Sequence, residues 1–169
     1  GGSRGLTRMS LNIRRVRPGE AGLVLAFIRE LAEYEKLSHE VEATEADIAD
    51  ALFGDRPQLY CAIAEWNGEA VGFAVWFANF STFSGRHGIY LEDLYVRPSH
   101  RGKGLGKALL VYLAKECVDN GWSRLQWAVL DWNAPSIAFY KSLGAVMMDD
   151  WTLCRVTGPA LTRLAGSAP

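Results

Sequence analysis

Three cysteines and three histidines are all that 169 residues contain, and neither type clusters. Cys61, Cys117 and Cys154 stand far apart inside apolar patterns, with no C-x-x-C pair and no histidine at ligand spacing. That pattern argues against a metal site or a disulfide framework and for core thiols in a reducing cytosol. His39, His87 and His100 are dispersed in polar stretches and read as solvent-facing. Net charge is equally scarce: 18 Lys+Arg against 19 Asp+Glu leaves −1, so no basic field draws in nucleic acid or an anionic membrane. No apolar run reaches the ~18 residues of a membrane span. The opening GGSRGLTRMS lacks the apolar core of a signal peptide, and residues 1–9 read as a leader left from cloning. With 49% hydrophobic residues the chain suits one packed domain over 10–157, followed by a flexible tail over 158–169 in which Leu161 and Leu164 can pin a turn.

What is present is well punctuated. Residues 11–16 alternate as a strand, and Pro18-Gly19-Glu20 opens a helix with Leu23, Phe27, Ile28 and Leu31 on one face. Thr44 and Asp47 form a capping-box pattern for a short helix through Leu52. Residues 59–66 and 70–77 are β-type runs around Asn67-Gly68, a strong hairpin signal, and residues 89–96 supply a third strand. A helix to about Asn120 follows, then a strand over 124–130, a helix started by Asn133-Ala134-Pro135-Ser136 and ended at Gly144, and a last strand over 151–156. The expected fold is α/β: a mixed central sheet, largely antiparallel in its N-terminal half and flanked by helices, in the order β-α-α-β-β-β-α-β-α-β.

The run YLEDLYVRPSHRGKGLG from Tyr90 joins an apolar strand carrying two acids to a glycine-rich basic loop that opens a helix. Glycines let a ligand approach the backbone closely, and the free N–H groups at a helix start face an anion, so the loop reads as a phosphate site. It is not a P-loop: Gly102 to Lys107 falls one residue short of that spacing, and Ala108 stands where a magnesium-binding hydroxyl is required. The dinucleotide pattern G-x-G-x-x-G fails as well, because Ala108 and Leu109 follow Lys107.

Arg101-Gly102-Lys103-Gly104-Leu105-Gly106 resembles the R-x-x-G-x-G/A loop of the GCN5-related N-acetyltransferase (GNAT) superfamily, whose element order the chain also follows. In that superfamily the loop holds the pyrophosphate of acetyl-CoA. Acetylating an amine requires a neutral nitrogen, since an ammonium of pKa ~10.4 has no lone pair to attack a thioester. Glu92 and Asp93, adjacent on a strand, are expected on opposite faces, with Glu92 as substrate anchor and base, directly or through water. A phenol of pKa ~10 can protonate the departing thiolate, and Tyr140 is the candidate.

Glu30-Leu31-Ala32-Glu33-Tyr34-Glu35-Lys36-Leu37, Tyr90-Leu91-Glu92-Asp93, the arginine loop, Asp131-Trp132-Asn133 and Phe139-Tyr140-Lys141 together resemble the diamine acetyltransferase (spermidine/spermine N1-acetyltransferase) family over about residues 11–157. The resemblance implies that the backbone at Leu94, Tyr95 and Val96 binds pantetheine and that Arg101, Gly102, Lys103, Gly104, Leu105, Gly106 and Lys107 bind pyrophosphate. It further implies that Asn133, Ala134, Pro135 and Ser136 touch coenzyme A and that Tyr140 is the proton donor. Substrate contacts match Tyr34, Glu35, Glu92, Gln126, Trp127 and Ala128, with Asp150 an acidic contact. Ser81-Thr82 and Ala128-Val129-Leu130-Asp131-Trp132-Asn133 resemble the thialysine branch, where two hydroxyls replace the aspartate typical of the polyamine branch. The implied protein is a cytoplasmic homodimer that uses acetyl-CoA and a small-molecule amine, without a metal. Two other readings fit the same residues: a protein lysine or N-terminal acetyltransferase, and a non-catalytic coenzyme A-binding module.

Overall fold

The computed structural model describes residues 10–169, so the expected leader over 1–9 lies outside the described residues. The chain divides into two compact units, the first ending at Ala128 and the second covering Val129–Pro169.

The first unit runs β1 (Leu11–Arg15), α1 (Ala21–Tyr34), α2 (Glu45–Phe53), β2 (Tyr60–Trp66), β3 (Glu69–Ser81), β4 (Arg86–Val96), α3 (Leu105–Asp119) and β5 (Leu125–Gln126). The five strands form one sheet in the order β1-β2-β3-β4-β5. Its first three junctions are antiparallel and the last is parallel, giving the mixed sheet expected from the sequence. Turn chemistry explains the sharp corners. Asn67 (φ 50) and Gly68 (φ 81) both adopt the left-handed conformation that a tight β2–β3 hairpin needs. Thr44 accepts from the Asp47 amide while Asp47 accepts from the Thr44 amide, a closed capping box at the start of α2. Helix α1 ends as Lys36 turns left-handed (φ 62) and the Leu37 N–H donates to the Ala32 carbonyl at 2.7 Å, leaving Tyr34 and Glu35 at the helix tip.

One sheet face is packed by α1 and α2. The cross-strand row Ile63–Phe73–Tyr95 meets Phe27, whose ring lies 5.2 Å from that of Phe73. The next row, Cys61–Val75–Asp93, joins the same core at Cys61 and Val75. On the other face Trp76 meets Tyr112 of α3 edge-on at 6.2 Å, and the Arg15 guanidinium lies 4.6 Å above the Trp76 ring while its Nε donates to the Tyr112 hydroxyl.

The β3–β4 ladder slips once: Val75 pairs with Asp93 but Trp76 pairs with Leu91, so Glu92 is the extra residue of a β-bulge. This slip corrects the expectation that Glu92 and Asp93 face opposite ways. Strand alternation runs from Tyr95 back to Asp93 and from Tyr90 forward to Glu92. Tyr95 sits in the α1 core, and Tyr90 pairs with Phe77, two residues beyond Val75 on that same face. Both acids therefore share the face that α1 covers.

Four further expectations need correction. The strand foreseen over 124–130 shortens to Leu125–Gln126, pairing only with Ile89 and Tyr90; a bulge bends and twists its own strand, and pairing stops two residues before this one. In the second unit, α4 (Ala134–Ser142) follows its predicted cap, but residues 151–156 form no strand. Their alternation suits a strand, yet β structure is made by ladder partners rather than by the segment's own preference, and none is formed among the described residues. Cys154 within that stretch is exposed, whereas Cys61 and Cys117 are buried as expected. The tail expected to fray carries α5 (Gly158–Ala165), with Pro159 in its first turn and Gly166 at its C-cap.

Candidate active site

The site is built where β4 runs into α3. Gly102 (φ 80) and Gly104 (φ 83) take left-handed conformations, and Gly104 is the N-cap of α3 without offering any side-chain cap. The first helical hydrogen bond is Ala108 N–H to the Gly104 carbonyl, so the amides of Leu105, Gly106 and Lys107 precede the helical ladder. A Cβ added at Gly102, Gly104 or Gly106 would meet no atom within 4 Å, so the approach to these amides is open. Such a surface fits a pyrophosphate.

The loop enters from a fixed point. The Arg97 amide donates to the Val71 carbonyl at 2.8 Å, and its guanidinium donates to both Glu30 oxygens at 3.1 Å each while lying 4.9 Å from the centre of the Phe27 ring. Arg101 folds back: its Nε donates to the Val96 carbonyl at 3.0 Å and its guanidinium lies 4.8 Å over Tyr34 and 5.7 Å over Tyr95. The Lys103 ammonium lies 4.9 Å over Trp66. The loop cations thus rest on aromatic faces of the first unit, and Tyr34, a predicted substrate contact, touches the predicted phosphate loop through Arg101.

Leu94, Tyr95 and Val96 lie on the part of β4 beyond its pairing with β5, which covers only Ile89 and Tyr90. That edge of β4 carries no strand among the described residues, the geometry a chain-like ligand needs to add its own amides to the backbone. Gly88 brings β5 close, because a Cβ there would sit 2.7 Å from the Arg124 carbonyl. Across it, the Asn79 amide donates to Gln126 Oε1 at 3.5 Å, while Asn79 Oδ1 is buried with no hydrogen-bond partner among the described residues. Asn79 was not among the residues the sequence singled out, and nothing in its strand context marks it.

The acids converge on the α1 face. Burial first, then the charges of Glu92 and Glu35, push the Asp93 carboxyl up to about 7. Burial also raises Glu35 above the usual carboxylate range. Glu92 is exposed beside them. Asp93 is the residue that sequence reasoning placed on the wrong side.

Ser81 and Thr82 do not join this cluster. Ser81 stands six positions along β3 from Val75, the partner of Asp93, which is roughly 20 Å at ~3.3 Å per residue. The Ser81 hydroxyl accepts from the Ser84 amide within its own turn. Trp127 and Ala128 close the first unit just past β5. In the second unit Asn133, only 8% exposed, caps α4 by accepting from the Ser136 amide at 3.3 Å. Ala134 and Pro135 form the first turn, Tyr140 lies in the last part of the helix with its ring 5.7 Å from Phe139, and Asp150 lies on an exposed turn.

Residues 25–145 match the model of the Acetyltransferase (GNAT) family. The chain is 41% identical over 165 residues to the thialysine N-epsilon-acetyltransferase of Bos taurus, covering 91% of this chain and 96% of that protein. It is 30% identical to the L-ornithine N5-acetyltransferase of Arabidopsis thaliana, covering 91% of this chain and 87% of that one. Among solved structures, an integron cassette protein from the mobile metagenome of V. cholerae superimposes with a TM-score of 0.78 at 31% identity, over 94% of this chain and 99% of that one. With the five-stranded mixed sheet, the glycine loop at the head of α3 and these relatives, the chain belongs to the GCN5-related N-acetyltransferase family, on its diamine acetyltransferase-like branch.

Proposed function

We propose that the protein transfers an acetyl group from acetyl-CoA to the primary amine of a small molecule, with a thialysine- or lysine-like amino acid preferred over a short polyamine. The observation that carries this reading is the open row of amides from Gly102 to Lys107 next to a strand edge and an acidic cluster. When bound, acetyl-CoA supplies an activated acyl group. The protein's own residues do the rest: the loop amides hold the pyrophosphate, the backbone at Leu94, Tyr95 and Val96 aligns the pantetheine arm, and Asn133, Ala134, Pro135 and Ser136 contact the coenzyme. Glu35 and Glu92 receive the ammonium group, with Tyr34, Gln126, Trp127 and Ala128 as further contacts of the amine, Glu92 draws off its proton directly or through water, and Tyr140 protonates the leaving thiolate. Asp150 is the further acidic contact of the amine.

The names of the bovine and plant relatives, both acetyltransferases of amino-acid side-chain amines, support the amino-acid preference. The hydroxyls of Ser81 and Thr82 offer no carboxylate for a second ammonium, and a charge-assisted bond is worth ~1.5–3 kcal/mol. Spermidine is therefore expected to fall about tenfold behind thialysine in kcat/KM. Steady-state kinetics on both amines in one buffer measure this. A clear preference for spermidine, or faster modification of peptide lysines than of either, overturns the substrate assignment.

Spermidine fully extended does not span the roughly 20 Å between the bulge and Ser81 in one chain. The family resemblance implies a homodimer, and in one a contribution of Ser81 and Thr82 to the amine site comes from the protomer that lends this hairpin end to its partner. Light scattering is expected to give twice the 18.7 kDa chain mass, and a fully active monomer contradicts it. The reducing cytoplasm is the compartment proposed for it.

A further inference from the structure

Leu91 and Leu94 bracket two consecutive acids, and the bulge at Glu92 turns both toward α1. The two differ in depth. Glu92 is exposed at the rim, whereas Asp93 sits half-buried behind it, in the row that continues through Val75 to Cys61. Among the described residues no amide or cationic side chain donates a hydrogen bond to the Asp93 carboxylate. The charges that act on it are those of Glu92 on its own strand and Glu35 at the tip of α1, its direct partner on β3 is the apolar Val75, and the Cys61 thiol follows in the same row on β2. None of these is a cation that would hold Asp93 ionised, and burial first, then the charges of Glu20 and Asp93, pushes the Cys61 thiol up to about 12 and keeps it neutral.

From this arrangement we infer that Asp93 is the terminal acceptor of the proton that the amine must lose, with Glu92 at the rim receiving the ammonium and passing the proton inward. The assignment rests on the acetyl-transfer reading above. In the step an N–H bond of the ammonium breaks and an O–H bond forms on the carboxylate, which leaves the lone pair on nitrogen for acyl transfer. Acetylation of an ammonium by a thioester releases one net proton, and Asp93 returns it to water past Glu92 after each turnover. A base works best when its pKa lies near the working pH, and Asp93, lifted to about 7, meets that condition.

The test compares wild type with Asp93→Asn, which keeps the shape of the side chain and removes only its ability to take a proton. With thialysine and acetyl-CoA, wild-type kcat/KM, which reports the free enzyme, is expected to fall on the acid side with an apparent pKa near 7. Asp93→Asn is expected to lose that limb and at least tenfold in kcat, with unchanged acetyl-CoA affinity by calorimetry. In protein labelled with 13C at the aspartate carboxyls, one resonance of the wild type is expected to titrate near 7 and to be missing from the variant. An active wild type whose variant keeps both rate and acid limb, or an Asp93 resonance titrating below ~5, overturns the assignment alone. A wild type inert toward every amine overturns the functional reading beneath it.

Discussion

Replacing Gly104 with aspartate is expected to weaken acetyl-CoA binding at least a hundredfold. Two effects add. Gly104 sits at φ 83, a left-handed conformation that costs a side-chain-bearing residue ~1–2 kcal/mol, less for aspartate than for most. The larger effect is charge: a carboxylate about 4 Å from a pyrophosphate oxygen repels it by ~4 kcal/mol at an effective dielectric near 20. A hundredfold loss needs only about 2.7 kcal/mol. Because a Cβ at this position meets nothing within 4 Å, Gly104→Ala separates the two effects, carrying the backbone cost without the charge. In a thermal melt the wild type gains stability with added acetyl-CoA by mass action, and Gly104→Asp should gain none at the same concentration. Equal affinities of variant and wild type would remove the loop from the coenzyme site.

Tyr140→Phe is expected to lower kcat about a hundredfold or more while leaving coenzyme affinity and fold intact, the usual scale for a lost general acid. The change removes one oxygen from a helix whose start is held by the Asn133 cap and by Pro135, and the ring that lies 5.7 Å from Phe139 is retained. The loss should appear in kcat and kcat/KM together, the signature of an interaction made only in the transition state. Single-turnover measurements read it before product release can mask it. A variant that turns over at the wild-type rate assigns the thiolate's proton to water.

What could be read in advance was whatever local chemistry decides. Asn67-Gly68 admits one kind of tight turn, Thr44 with Asp47 forms its cap within four residues, and the glycines of the loop announce left-handed backbone. The misreadings came from long-range pairing. Residues 151–156 alternate like a strand, but a ladder partner is a property of another segment, and the alternation alone carries no information about it. The short β5 fails for the same reason, since its length is set by where β4 bends. The bulge was nearly legible: Ile89, Leu91, Leu94 and Val96 are apolar at steps of two, three and two. A step of three within a strand is a change of phase, and treating 92 and 93 as ordinary neighbours hid the one acid that burial perturbs most.

The clamp at the start of the phosphate loop bears on where conformational freedom is lost. The Arg97 amide is tied to Val71, its guanidinium to Glu30 and its carbonyl to the His100 amide, and Arg101 is tied back to Val96. Fixing one residue's backbone costs about 1–2 kcal/mol of entropy. For these residues that loss is taken when the chain folds, before any ligand arrives, so little of the interaction with an incoming pyrophosphate is consumed in ordering the loop that receives it.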